Sequence, residues 1–290
     1  MQCFLNYIKS TVTERRLHDA EEQRISNDAA LSQHEARVFI TGSADGLGRM
    51  AAQLLVEQGH TPVLHARNEQ RGREAMTAAR GAETVVIGDL SSVAQMKEVA
   101  AKVNALGHFD AVIHNAGVGY QSPRRVATEG GLPLEFAVNT LAPYVLTALI
   151  HRPKRLVYLS SGLHQNGDPS LEDLAWEKRQ WRGIQAYSDT KLHDVMLAFA
   201  IARRWPDTFS NGLEPGWVAT KMGGAHAPDD LAEAYRTQVW LAVSSNAAAE
   251  VTGQYFYHRK LREPNPAARD TTKQDKLIAA CADFSGVKLP

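Results

Sequence analysis

The segment AYSDTK, residues 186–191, places a tyrosine and a lysine four positions apart. Side chains at this spacing share one face of a helix, so Tyr187 and Lys191 would be neighbours there. Tyrosine, with an ordinary pKa of about 10, is a poor proton shuttle near neutral pH. A nearby ammonium group favours the phenolate, so we expect Lys191 to lower the pKa of Tyr187. Such a pair could serve in acid–base catalysis, although the same spacing also arises by chance.

The composition of the chain excludes several functional classes. Of 290 residues, 32 are Lys or Arg and 32 are Asp or Glu, so the formal net charge is zero. We predict no nucleic-acid partner, because proteins that bind nucleic acids usually carry a basic surface. The two cysteines, Cys3 and Cys281, indicate a reducing compartment, and we expect a cytoplasmic protein.

Neither a membrane-spanning helix nor a metal site is expected. No apolar run reaches the roughly 18 residues that a membrane-spanning helix needs, so we predict no membrane span. No histidine and cysteine residues occur at the spacing of metal ligands, so we also predict no metal site.

The elements that must position Tyr187 and Lys191 alternate regularly from residue 36 onwards. The predicted strands lie at 36–41, 61–66, 83–88, 110–114, 155–160, 208–213 and 254–258. The predicted helices lie at 46–59, 69–79, 91–106, 134–150, 185–204 and 230–244. This alternation is typical of an α/β protein with a doubly wound parallel sheet of about seven strands and helices on both faces.

The chain divides into an N-terminal extension, residues 1–35, and a single domain, residues 36–290. The extension contains a charged stretch, and four of its apolar residues have the spacing of a short amphipathic helix: Phe4, Leu5, Ile8 and Val12. It lacks the long apolar core of a secretory signal peptide. We assign no function to the extension.

A glycine-rich segment, TGSADGLGR, follows the first predicted strand and opens the first predicted helix. Gly42, Gly46 and Gly48 would let the backbone turn sharply and approach a phosphate closely. The start of a helix offers unpaired N–H groups and the positive end of a dipole to that phosphate. In this position the segment predicts a dinucleotide-binding site, the alternative being a tight turn without a ligand.

The spacing T-G-x-x-x-G-x-G resembles the short-chain dehydrogenase/reductase family. Further segments resemble the motifs of that family in the same order: Asp89-Leu90, Asn115-Ala116-Gly117, Asn139, Ser161, Tyr187 with Lys191, and Pro215-Gly216 through Thr220. The resemblance spans residues 36 to 258 and implies a Rossmann-type fold. The segment between Ser161 and Tyr187 resembles the retinol dehydrogenase-like and carbonyl reductase-like branch, whose members often have a membrane anchor that is not expected here.

The resemblance implies a role for each of four catalytic residues. Tyr187 would be the general acid or base, and Lys191 would also hold the nicotinamide ribose. Ser161 would hydrogen-bond the substrate oxygen, and Asn139 would hold a water molecule of a proton relay. For these last two a structural role is the alternative, since Ser161 could cap a helix and Asn139 could bond its own helix backbone.

The resemblance also implies a set of cofactor-binding residues. Asp89 and Leu90 would contact the adenine ring, and the segment from Pro215 to Thr220 would contact the nicotinamide end. The full set comprises Gly42, Ser43, Asp45, Gly46, Leu47, Gly48, Arg67, Asp89, Leu90, Asn115, Ala116, Gly117, Tyr187, Lys191, Pro215, Gly216, Val218 and Thr220.

The end of the second predicted strand, HARN, bears on which cofactor is used. An acidic residue there would bind the adenosine ribose hydroxyls of NAD, but this chain has Ala66 followed by Arg67. Arginine can bind a 2′-phosphate as a charged fork, so we predict NADP(H) in preference to NAD(H). The alternative is a solvated surface arginine. Asp45, inside the glycine-rich turn, would place a negative charge close to the phosphates unless its side chain points away.

These residues together predict an NADP(H)-dependent oxidoreductase that reduces an apolar aldehyde or ketone, or oxidises the corresponding alcohol. A catalytically silent NADP(H)-binding sensor and a sugar-nucleotide epimerase are the alternatives. Residues 217–235 occupy the position of the substrate lid of the family and are rich in glycine. The resemblance further implies a homodimer or homotetramer.

Overall fold

The computed structural model describes residues 35–290, which contain a sheet of eight strands. The strands are β1 Arg37–Ile40, β2 Thr61–Ala66, β3 Thr84–Ile87, β4 Ala111–His114, β5 Arg155–Leu159, β6 Phe209–Glu214, β7 Tyr255–Tyr257 and β8 Lys260–Leu261. Their order across the sheet is β3-β2-β1-β4-β5-β6-β7-β8. The first seven strands pair in parallel, and only β8 is antiparallel to its neighbour. The predicted doubly wound α/β fold is thereby confirmed.

The helices lie between these strands and after the last of them. They are α1 Gly46–Glu57, α2 Glu69–Ala78, α3 Val93–Ala105, α4 Leu134–Phe136, α5 Ala142–Leu149, α6 Gly183–Arg204, α7 Leu231–Val243 and α8 Thr271–Ser285. A π-helical turn, Ala137–Leu141, joins α4 to α5, and two 3₁₀ turns lie at Gly162–Asn166 and Pro266–Arg269. Helix 134–150 was therefore predicted at the correct place but without its π-helical turn.

Helices cover both faces of the sheet, so the residues of a strand are buried whichever side they point to. In β5, Tyr158 packs in the core beneath α3, α5 and α6, whereas Val157 packs in the core beneath α1, α2 and α7. Continuous apolar runs in the sequence are the consequence of this double burial. No helix within residues 35–290 has the length and apolar character required to traverse a lipid bilayer.

The prediction of about seven strands was one short, and the C-terminal helix α8 was not predicted. The strand β8 consists of two residues, Lys260 and Leu261, both exposed, which is too short for any hydrophobic alternation to indicate a strand. The predicted extension and its amphipathic helix lie outside the described residues.

Among the buried histidines of residues 35–290, four have a lowered pKa: His65, His114, His164 and His193. Burial disfavours the imidazolium and lowers their pKa values to about 4, 3, 4 and 3 respectively. In the unfolded chain each would take up a proton near its ordinary pKa of 6.5. The unfolded state thus binds more protons than the folded state between about pH 6.5 and pH 4.

We therefore expect the free energy of unfolding to fall as the pH drops through this window. The slope should be about 1.4 kcal/mol per pH unit for each histidine that titrates only on unfolding. Melting temperatures followed by circular dichroism from neutral pH to pH 4.5 would measure this loss. His193→Gln should flatten the dependence, and His226→Gln, at an exposed histidine, should not. A melting temperature that is constant across the window would contradict the prediction.

Candidate active site

The carboxyl ends of the parallel strands open onto one cleft of about 1260 Å³, the position where α/β sheets bind their ligands. Most of the predicted site residues line this cleft: Gly42, Asp45, Gly46, Leu47, Arg67, Asp89, Leu90, Asn115, Ala116, Gly117, Ser161, Tyr187, Lys191, Pro215, Gly216, Val218 and Thr220. Three of the predicted residues, Ser43, Gly48 and Asn139, are buried behind its wall. The Ser43 hydroxyl accepts from the His65 amide at 2.8 Å, and so fastens β2 to the turn.

The glycine-rich turn is shaped by contacts with the segment after β4. Gly42 has φ +64, and a Cβ there would lie 2.8 Å from the Cα of Ala116. A Cβ on Gly48 would lie 2.6 Å from the carbonyl oxygen of Gly42. The Asn115 amide group donates to the carbonyl oxygens of Thr41 and Gly42, at 2.9 and 3.2 Å. Only glycine therefore allows this close approach of the two segments.

The turn fits a pyrophosphate. The backbone amides of Leu47 and Gly48, in the first turn of α1, have no acceptor among residues 35–290. Free amides at a helix N-terminus are the usual partners of a phosphate group. The amide of Gly42 is not available, because it donates to Nδ1 of His65 at 3.1 Å.

The carboxylate of Asp45 points to cations rather than towards the free amides. It accepts from the amide of Gly46 at 2.9 Å and forms ion pairs with Arg71 and Lys221. The hydrogen bond from Lys221 is the main reason why the pKa of Asp45 is lowered to about 2. Burial opposes this shift, and Gly46 and Arg71 reinforce it. The negative charge in the turn is thus balanced within the protein.

Tyr187 and Lys191 both lie on α6 and both line the cleft. The ammonium nitrogen of Lys191 is 5.7 Å from the centre of the Tyr187 ring. It donates to the carbonyl oxygen of Leu159 at 2.7 Å and to Oδ2 of Asp194 at 2.9 Å. An ammonium group has three N–H donors, so one remains for a ligand in the cleft. The same nitrogen would be 3.5 Å from a Cβ on Gly117, which lines the cleft.

The net pKa of Tyr187 corrects one expectation. Burial raises it above the ordinary value, and this effect outweighs the opposing charge of Lys191. Asp194 also raises it, whereas the hydrogen bond with Ser161 lowers it. Lys191 therefore acts in the expected direction but does not make Tyr187 more acidic than a free tyrosine. At neutral pH the hydroxyl group keeps its proton.

Asn139 has partners that the sequence did not indicate, whereas Ser161 has the capping role that was one of its two expected roles. Asn139 accepts from the amide of Val118 at 2.8 Å, and donates to the carbonyl oxygen of Val118 at 2.9 Å and to Oγ1 of Thr190 at 3.0 Å. It thereby ties the segment after β4 to α6. Ser161 caps the first 3₁₀ turn, accepting from the amide of Leu163 at 3.3 Å. Its side chain also lines the cleft, so capping and substrate binding are compatible.

Asp194 is the main residue of the site that the sequence interpretation missed. Its side chain is 4% exposed, as is that of Lys191, so the ion pair between them is fully enclosed. The sequence did contain an indication of this pair, since Asp194 lies three positions after Lys191 and therefore on the same face of α6. It was obscured by the apolar residues that surround it in sequence.

Comparison with known proteins shows the family to which the chain belongs. Residues 36–160 match the family model of the short chain dehydrogenase. The chain is 45% identical to an uncharacterised oxidoreductase of Emericella nidulans, AN7799, over 88% of this chain and 98% of that protein. It is 30% identical to human retinol dehydrogenase 13, over 87% of this chain and 85% of that protein.

One solved structure is similar to this chain over most of its length. It is a crystal structure of an uncharacterised protein from Mycobacterium paratuberculosis, with a TM-score of 0.75 and 23% identity. The alignment covers 90% of this chain and 98% of that one, and supports the fold alone. The chain belongs to the short-chain dehydrogenase/reductase family. Within that family of oxidoreductases, it is a member of the retinol dehydrogenase-like branch.

Proposed function

We propose that the protein is an NADP(H)-dependent carbonyl reductase that transfers a hydride to an aldehyde or ketone. The observation that carries this proposal is the arrangement of Tyr187, Lys191 and Ser161 in the same cleft as a phosphate-compatible glycine turn. A general acid, a cation and a hydroxyl donor are the groups that a developing alkoxide requires.

Each of these side chains has a part in the proposed reaction. NADPH, when bound, would supply the hydride. Ser161 would donate a hydrogen bond to the substrate oxygen and stabilise its negative charge as it develops. Tyr187 would then give its hydroxyl proton to that oxygen, forming the alcohol. Lys191 would bind the nicotinamide ribose through its third N–H and stabilise the resulting phenolate. We assign two roles to Asn139. It positions the segment after β4, and it would hold the water molecule of a proton relay.

The preference for NADPH is assigned to Arg67. Its side chain is exposed at the end of β2, where it lines the cleft, and no acidic residue lies beside it in the chain. Arg71 lines the same wall, but its guanidinium is already bonded to Asp45 and Glu74. Arg67 is therefore the better candidate for a 2′-phosphate.

Arg67→Gln should weaken NADPH binding by about 10- to 100-fold, the range expected when a charged hydrogen bond is lost. NADH binding should hardly change, because NADH lacks the 2′-phosphate. Titration of each nucleotide by its fluorescence would give both dissociation constants. Arg73→Gln is the matched control, since Arg73 is exposed on α2 but does not line the cleft. Equal NADPH and NADH affinity in the unmodified protein would refute the assignment.

The reaction itself can be tested by following oxidation of NADPH with a panel of aldehydes, quinones, cyclic ketones and polycyclic ketones. The reductase proposal predicts turnover of at least one of these compounds, and loss of that turnover in Tyr187→Phe. Tight NADPH binding without turnover of any compound would favour the sensor alternative instead. The sugar-nucleotide epimerase is not favoured by any feature of the described cleft.

The loop between β6 and α7 is proposed as the substrate lid. Trp217 and Met222 lie in it, are 55% and 42% exposed, and line the cleft. The sulfur atom of Met222 is 3.8 Å from the hydroxyl of Tyr187, so the loop reaches the reacting groups. The predicted range, 217–235, extends into α7, which begins at Leu231. Assembly as a homodimer or homotetramer stays a prediction.

A further inference from the structure

An ion pair between Arg262 and Glu214 lies in the wall of the cleft. Glu214 ends β6, and its side chain is 2% exposed. The side chain of Arg262, just after β8, is 50% exposed. A buried acid beneath a half-exposed arginine is unusual in a cleft expected to hold an apolar substrate, and the mechanism above uses neither residue.

The pair is close to the reacting end of the cleft. A Cβ on Gly162, the residue after Ser161, would lie 2.6 Å from Oε2 of Glu214. The carboxylate therefore occupies the space that this glycine leaves open. The amide of Arg262 donates to the carbonyl oxygen of Tyr255 at 2.9 Å, and the Tyr255 hydroxyl lies 3.5 Å from the carbonyl oxygen of Ser161. One residue thus separates Arg262 from the Ser161 backbone.

The guanidinium of Arg262 is held in a fixed orientation. Its Nη1 donates to Oε1 of Glu214, and its central carbon lies 5.0 Å from the centre of the Tyr257 ring. Burial raises the pKa of Glu214, and the charge of Arg262 opposes this rise. The carboxylate is enclosed and already paired, so its role is to anchor the arginine and not to meet a ligand.

One edge of the guanidinium remains free. Nε and Nη2 share that edge, and neither has an acceptor within residues 35–290. Two N–H groups on one edge of an arginine match the two oxygens of a carboxylate. Arg262 lines the cleft with half of its side chain exposed, so this edge is a candidate bidentate site for a ligand there.

We propose that Arg262 determines substrate specificity by binding a carboxylate on the carbonyl substrate. This inference rests on the reductase function proposed above and narrows its substrates to aldehyde acids and keto acids. The carbon skeleton of such a molecule would contact the apolar part of the cleft, formed by Tyr120, Leu134, Val138, Leu163 and Met222. The expected substrate is then amphipathic, whereas the sequence predicted an apolar one.

The test compares the ortho, meta and para isomers of carboxybenzaldehyde with their methyl esters in NADPH-dependent reduction. The ester keeps the ring and the aldehyde but removes the negative charge. We expect kcat/KM of the unmodified protein to be at least about tenfold higher for one acid than for its ester, because charged hydrogen bonds are strong.

Two variants distinguish bidentate binding by Arg262 from a simple effect of its positive charge. Arg262→Lys keeps a cation opposite Glu214 but lacks the bidentate edge, and Arg262→Gln removes the cation. Both should lose most of the preference for the acid, measured in each variant as the ratio of kcat/KM for the acid to kcat/KM for its ester. Arg259→Gln is the control, since Arg259 lies in the turn between β7 and β8, binds Glu233 and does not line the cleft. Melting temperature and NADPH affinity would establish that each variant is folded.

The outcomes distinguish the two proposals. Equal reduction of acids and esters, or an acid preference that survives in both Arg262 variants, overturns the inference and leaves the reductase function in place. Absence of turnover with every acid, every ester and every neutral carbonyl compound overturns the proposed function, and the inference with it.

Discussion

Tyr187→Phe should abolish carbonyl reduction and leave NADPH binding nearly unchanged. The substitution removes one hydroxyl group and retains the ring, which packs edge-on against Tyr120 with 5.6 Å between the ring centres. Without that hydroxyl no acid on α6 is left to protonate the substrate oxygen, because two N–H groups of Lys191 are bonded to Leu159 and Asp194 and the third is assigned to the nicotinamide ribose. Loss of a positioned general acid typically lowers the rate by about 10²- to 10⁴-fold.

The measurement is kcat/KM for the best carbonyl substrate, together with a fluorescence titration of NADPH. Tyr120→Phe is the matched control, since Tyr120 lines the same cleft and is in contact with Tyr187. It should retain most of the activity, because its hydroxyl group has no part in the proposed proton transfer. Full activity of Tyr187→Phe would end the proposed mechanism.

Asp194→Asn should disturb both stability and catalysis. Lys191 and Asp194 form a buried ion pair, and removal of one partner from such a pair usually costs about 3–5 kcal/mol. Burial acts to lower the pKa of Lys191, but the charges of Asp194 and Tyr187, with the hydrogen bond to Asp194, together raise it. In the variant the effect of burial is less opposed, so the pKa of Lys191 should fall.

The expected signature is in the pH profile of reduction. Activity should be lost at lower pH than in the unmodified protein, by about one pH unit or more, because Lys191 gives up its proton earlier. The unfolding free energy from denaturant titration should fall at the same time. Asp189→Asn provides the comparison, since Asp189 is buried on the same helix but pairs with Arg179. It should destabilise the protein without moving the pH profile, and an identical profile in Asp194→Asn would contradict our account.

Much of the fold could be predicted from sequence, because strands that are buried on both faces of the sheet appear as continuous apolar runs. The strand β2 was predicted with its exact bounds, residues 61–66, since an apolar run is bounded by Gly59 and by the polar residues after Ala66. The π-helical turn around Asn139 has no comparable pattern in the local sequence. It is stabilised by bonds to Val118 and Thr190, which are distant in sequence.

The candidate site was predicted where a motif has a fixed local geometry. Gly42, Gly46, Tyr187 and Lys191 were predicted from the spacing of their motifs together with the resemblance to a known family. The ion pair between Glu214 and Arg262 could not be predicted, because it joins the end of β6 to a residue that β8 positions. The net pKa of Tyr187 was likewise beyond sequence reasoning, since it depends on how deeply the ring is buried.

The ion pair between Lys221 and Asp45 has a kinetic consequence for nucleotide exchange. It joins two segments 176 positions apart, and both residues line the cleft. The side chain of Lys221 is 82% exposed, and ion pairs in contact with solvent contribute little to stability, about 0–1 kcal/mol. The ion pair can therefore open at small energetic cost, and this contact should not limit how fast spent cofactor leaves between catalytic cycles.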